Sequence, residues 1–78
     1  HKNVLILRMR NVPAMDITGM DALLEAYNTC KKKNIKLLLS HVNEQPMHVM
    51  EKSGFVDMLG KDNFCENIDA ALERAAAI

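Results

Sequence analysis

Two short apolar runs, Val4-Leu5-Ile6-Leu7 and Leu37-Leu38-Leu39, bracket a stretch of helical periodicity, and no other feature constrains the fold as much. Each run is too short for a helix. Val4 to Leu7 is also too continuously apolar for a strand with one wet face and reads as a central strand covered on both sides, with Ile35 to Ser40 as the second strand. Between them, Met20, Leu23, Leu24, Tyr27 and Cys30 fall on one face of an α-helix. With a helix and no tight turn as the link, the strands pair in parallel through a right-handed crossover. The expected pair is Val4 to Arg8 beside Lys36 to Ser40.

The punctuation agrees with that plan. Pro13 fixes its own φ and pushes Val12 away from helix, so Asn11 to Asp16 is a strand-to-helix loop. Thr18, with Asp21 three residues on, resembles a capping box, and Lys31 to Lys33 suit the negative end of the helix dipole. Asn34 fits a left-handed stop. Asn43 to Ser53 reads as a second helix, with Asn43 as N-cap, Pro46 in the first turn, and Met47 and Met50 facing inward. Gly54 ends it, and Phe55 makes the accompanying apolar contact. Phe55 to Leu59 is expected as a short third strand, closed by Gly60 to Asn63. A last helix starts at Asn67 with Ile68, Ala71, Leu72 and Ala75 as its buried stripe. The order β-α-β-α-β-α gives an α/β domain with a mostly parallel sheet.

Composition narrows the function. At 78 residues, 49% apolar and 26% charged, the chain is one globular domain at most. Tyr27, Phe55 and Phe64 are its only aromatic residues, which leaves the core to aliphatic side chains. Formal net charge is zero and Lys31 to Lys33 is the only basic run, which argues against a nucleic-acid partner. No apolar stretch approaches the ~20 residues of a membrane span, so direct membrane insertion by this segment is not expected. Cys30 and Cys65 lack metal-ligand spacing and read as free thiols in a reducing compartment. His1 opens the chain, a tag remnant without chemistry, and a strand begins almost at once. The expectation is a piece cut from a longer polypeptide, with upstream strands completing a sheet whose edges are otherwise bare and whose core is small.

The loop from Asn11 to Gly19 is the place to look for function. It joins the C-terminal end of a strand to a helix N-terminus, where open α/β sheets bind ligands and partners. Thr18 there is either a helix cap or a phosphorylation and partner contact. The loop lacks the glycines of a nucleotide fingerprint, and no cofactor is expected. His41 and His48 carry no metal-ligand pattern, and Asp16, Asp21 and Glu25 are explained by capping and dipole roles better than by acid–base work.

The run Val4 to Leu7, the segment Val12-Pro13-Ala14-Met15-Asp16-Ile17-Thr18-Gly19 and the helix opening Met20-Asp21-Ala22-Leu23 resemble the STAS domain, the family named for sulfate transporters and anti-sigma factor antagonists. Lys36 to Leu39, Met50 to Phe55 and Asn67 to Leu72 extend the resemblance over nearly the whole chain. It implies a STAS-like fold, with residues 1 to 78 forming the C-terminal portion of a single such domain. In the antagonists the loop reads Asp-Ser-Ser-Gly and its second serine is phosphorylated. Asp16-Ile17-Thr18-Gly19 puts Thr18 at that position but departs from the pattern at Ile17 and Thr18. The Val-Pro-x-Met-Asp form looks more like the SulP-type anion permeases. By that resemblance the chain is a non-catalytic regulatory domain on the cytoplasmic face of the membrane. Its partners are the transporter's own transmembrane part, cytoplasmic regulatory proteins and, as a homodimer, a second copy. The alternative it implies is a free-standing anti-sigma antagonist phosphorylated at Thr18. On either reading, Pro13, Met15, Asp16, Thr18, Gly19 and Met20 form the exposed partner-binding edge.

Overall fold

The structure, a computed structural model, describes residues 3–78; the reading of His1 lies outside them. Strands β1 (Asn3–Arg8) and β2 (Ile35–Ser40) pair in parallel from Asn3 opposite Ile35 to Arg8 opposite Ser40. Helix α1 (Ile17–Lys32) is the crossover between them, as the spacing of its apolar stripe requires. Asn34, at φ 58°, turns the chain from helix into β2. Helix α2 (Glu44–Lys52) follows, then the short helix α3 (Phe55–Leu59) and a 3-10 turn at Lys61–Asn63. Strand β3 (Phe64–Cys65) pairs in parallel with the end of β2, and α4 (Ile68–Ala77) closes the chain. The sheet order is β1-β2-β3, so among the described residues β2 and not β1 is the central strand, and β1, expected to be covered on both sides, leaves Leu5 40% exposed.

Helices cover β2 on both faces. Leu37 and Leu39 join Met20, Leu23, Cys30, Met50 and Phe55 in the main core beneath α1, α2 and α3. Alternation along the strand turns Leu38 to the opposite face, where α4 packs with the fully buried Ala71. Phe55, Leu38, Leu39 and Met50 are completely enclosed, and burying each side chain contributes roughly 1.5–3 kcal/mol. Phe55 stands edge-on to both Tyr27, at a centroid distance of 5.7 Å, and Phe64, at 6.5 Å, so all three aromatic rings form one row. The Tyr27 hydroxyl donates to the Met58 carbonyl at 3.2 Å, tying α1 to α3.

Two expectations about the elements are corrected here. Phe55 to Leu59 is helical and not a strand. Gly54, at φ 81°, reverses the chain after α2, and Met58 N–H bonds back to Gly54 O in a new helical turn. The third strand comes later, at Phe64–Cys65. Leu72 is 55% exposed and does not belong to the buried stripe of α4; Ala71 fills that place against the sheet.

Candidate functional site

The segment between β1 and α1 is exposed but not loose. Val12 N–H bonds to the Met9 carbonyl at 3.0 Å, and Met9 N–H bonds to Ser40 O at 2.9 Å, which continues the β1–β2 ladder by one step. From there the start of α2 holds the loop. Asn43 Nδ2 donates to the carbonyls of Arg10 and Val12, both at 3.0 Å. The Gln45 side chain meets the Met15 backbone twice: Oε1 accepts from Met15 N–H at 2.6 Å, and Nε2 donates to Met15 O at 3.1 Å. A single glutamine side chain thus imitates one rung of a β-ladder. Asn43 sits at the N-cap position of α2, but its side-chain oxygen accepts no capping bond, and its amide nitrogen is turned to the loop instead.

Asp16 closes the segment. Its extended backbone marks the end of the loop, and its carboxylate accepts from Gly19 N–H at 2.9 Å. Asp16 is therefore the N-cap of α1, and the capping box expected from Thr18 and Asp21 is not formed. Ile17 already has helical geometry, which places Thr18 inside the first turn, where its side chain cannot reach the cap position. Thr18 is exposed, and Ile17 beside it is 80% exposed, the most open large apolar side chain among the described residues. Pro13 is exposed as well and Met15 half-buried.

Met20 departs from the expected partner edge. It is only 5% exposed, because the helix period points it into the core, and Ser53 Oγ lies 3.6 Å from its sulfur. Gly19 also has a packing reason: a Cβ there would stand 3.2 Å from Met15 Cγ. The exposed edge is thus Pro13, Asp16, Ile17 and Thr18, with Met15 partly covered. Beside it an apolar groove of about 400 Å³ runs between α1 and α2, lined by Ile17, Met20, Leu24, Val49, His48 and Lys52. Sequence reasoning gave Ile17 and Gln45 no role at this edge and read Asn43 only as a helix cap. An apolar residue at a helix start breaks the polar pattern of a loop, and that signal was available for Ile17. Nothing local marks the other two, whose partners lie some thirty positions away.

Among the described residues no group of three or more His, Cys, Asp or Glu side chains is placed to hold a metal ion. None of the described helices is long and apolar enough to cross a membrane. Cys30 is buried and Cys65 half-buried, and both are free thiols. Burial pushes the Cys65 thiol up from its ordinary value, while the nearby Arg74 charge opposes that rise more weakly.

A strand, a clamped loop with an exposed Asp-Ile-Thr-Gly turn, and a crossover helix are arranged here as the resemblance implies, and the profile of the STAS domain matches residues 1–71. The chain belongs to the STAS domain family. Among relatives of this STAS domain, probable sulfate transporter 3.5 of Arabidopsis thaliana is 33% identical over 69 residues, 88% of this chain and 11% of that protein. Sulfate transporter 1.2 of the same plant matches equally, at 33% over 69 residues, 88% of this chain and 11% of its own length. The STAS domain spans about a tenth of these curated relatives. The crystal structure of a sulfate transporter family protein from Wolinella succinogenes superposes with a TM-score of 0.92 at 41% identity, over 96% of this chain and 62% of that one.

Proposed function

We propose that this STAS domain is the non-catalytic regulatory and partner-binding domain of a SulP-type anion transporter, held on the cytoplasmic face of the membrane. The single observation that carries the reading is Ile17, 80% exposed in the first turn of α1, just after a loop that Asn43 and Gln45 hold in place. An isoleucine so open costs hydration free energy in the free domain, and a partner that covers it recovers ~1.5–3 kcal/mol. The matches to sulfate transporters support the transporter setting. The partners are the transporter's own transmembrane part, which docks on Pro13, Met15, Ile17 and Thr18, and regulatory proteins that compete for the same edge. Thr18, exposed and free of capping duty, is the position at which a phosphoryl group switches that contact.

The test is anion uptake by vesicles carrying the full-length protein with Ile17→Asp or Thr18→Glu, beside the unmodified protein. The expected result is altered transport with undiminished protein level and unchanged melting of the domain. Unchanged uptake in both variants refutes the partner edge. A full-length polypeptide without apolar spans of ~20 residues refutes the transporter setting itself.

A further inference from the structure

The apolar groove beside Ile17 extends well past the loop edge. Along α1 it runs from Ile17 to Leu24, about 10 Å or two turns at the helical rise of ~1.5 Å per residue. Met20, 5% exposed, and the half-buried Leu24 and Val49 make its floor apolar. Its two walls are held together at either end. Gln45, in the first turn of α2, bonds to Met15 just before α1, and Ser53 Oγ at the far end of α2 lies 3.6 Å from the Met20 sulfur. The groove is a fixed trough between two helices, ready for a partner before the partner arrives.

The rim is charged, and unevenly. On the α2 wall Lys52 and His48 are both exposed and stand one helical turn apart, so an ammonium and an imidazole line the same side. The α1 wall carries one carboxylate, Asp21. A third helix fits such a trough, with apolar residues at i, i+4 and i+7 filling two turns of floor. Carboxylates on its flank toward α2 meet Lys52 and His48. Laid the other way round, the same carboxylates meet Asp21, so the rim selects one direction. The sign of the flank also selects the source. Membrane-proximal segments on the cytoplasmic side of a transporter carry an excess of Lys and Arg, the wrong charge for the α2 wall. An acidic flank belongs to a separate, soluble protein.

We propose that the groove between α1 and α2 docks an amphipathic helix of a soluble regulatory protein. Its apolar stripe lies on Met20, Leu24 and Val49, Ile17 packs against its side, and its acidic flank faces Lys52 and His48. The proposal rests on the partner edge at Ile17 and names the kind of regulator that reaches it.

Three peptides of about fifteen residues, near the shortest length that holds a helix in water, test it. They share leucines at i, i+4 and i+7 and differ only along one flank, which is all Glu, all Gln or all Lys. Each is titrated into the 78-residue chain while the backbone amide resonances of Leu24 and Val49 are followed. Saturable shifts at both amides are expected, with the Glu form binding about two- to fivefold tighter than the Gln and Lys forms, the range of an exposed ion pair. Lys52→Glu should erase that preference, and Lys32→Glu, at the far end of α1, should leave it unchanged. Ile17→Asp should weaken all three peptides about tenfold or more. A Glu form that binds no tighter than the others, a preference that survives Lys52→Glu, or an absence of shifts at Leu24 and Val49 each overturn the docked helix. So do shifts that grow with the concentration of the chain alone, which put a second copy in the groove. Anion uptake that Ile17→Asp leaves unchanged fails the partner edge itself, so the two failures are told apart.

Discussion

Replacing Gln45 by alanine isolates the clamp on the loop before α1. The side chain makes two hydrogen bonds to one backbone unit, at 2.6 Å and 3.1 Å to Met15, and both are solvent-exposed. A net hydrogen bond is worth roughly 0.5–1.5 kcal/mol, and water can replace an exposed one, so the lower part of that range applies to each. The helix itself loses nothing, because alanine is the better helix former. The expected loss is about 1 kcal/mol, which for a domain of this size lowers the melting temperature by about 4–8 °C. Gln45→Glu is the sharper variant. It keeps an acceptor for Met15 N–H but sets carboxylate oxygen against Met15 O, so it should lose at least as much as alanine above pH 6. Hydrogen exchange gives the site-specific reading: Met15 N–H should lose protection in both variants while amides in β2 change only with global stability. If Met15 protection is unchanged and the melting temperature moves by less than 1 °C, the clamp does not hold the loop.

Other consequences are equally open to measurement. Asp16→Ala should cost about 1 kcal/mol and Thr18→Ala less than about 0.5 kcal/mol in urea denaturation, because Asp16 and not Thr18 caps α1; the reverse order would refute that assignment. Phe55→Ala should cost about 3–5 kcal/mol, since the ring is fully buried between Tyr27 and Phe64, and a loss below 1 kcal/mol would be incompatible with this core. Gly54→Ala meets no atom within 4 Å but keeps φ at 81°, so a loss of about 1 kcal/mol from backbone strain alone is expected, and no loss would mean the turn is not left-handed. Burial raises the Cys65 thiol above its unfolded value. Its stabilising contribution is therefore complete below the unfolded pKa and is lost as pH rises through the folded one. Alkylation of Cys65 in the folded protein should accordingly be slower at pH 8 than in the urea-unfolded chain, and equal rates would contradict this.

The parts of the fold legible in the sequence were those with a long pattern. The α1 stripe runs over three turns, and Met20, Leu23 and Cys30 are buried where the period puts them. The apolar runs of β1 and β2 pair with each other in the expected parallel direction. Short elements were not legible. Phe55-Val56-Asp57-Met58-Leu59 has the composition of a strand, and five residues do not separate a period of 2 from one of 3.6; the left-handed Gly54 decides for helix by starting a fresh turn. At two residues, β3 is too short to carry any pattern. The start of α1 held two good capping residues two positions apart, and only the backbone geometry distinguishes Asp16 from Thr18. The loop was singled out because topology points to strand ends, but the side chains that hold it were not, since Asn43 and Gln45 act across the fold on backbone atoms of any residue type.

The amide ties from Asn43 and Gln45 also bear on how fast and how tightly this surface can be used. A free loop must surrender its conformational entropy when it is captured, roughly 1–2 kcal/mol for each backbone unit fixed. Here the units around Arg10, Val12 and Met15 are already fixed by α2, so that cost is met during folding and not at the moment of contact. A partner docking here as proposed would meet a rigid body, so docking would proceed without a slow ordering step and affinity would rest on the contacts themselves. The same ties run in the other direction. A pull or a push on the segment before α1 is delivered to the first turn of α2, and the two move as one lever.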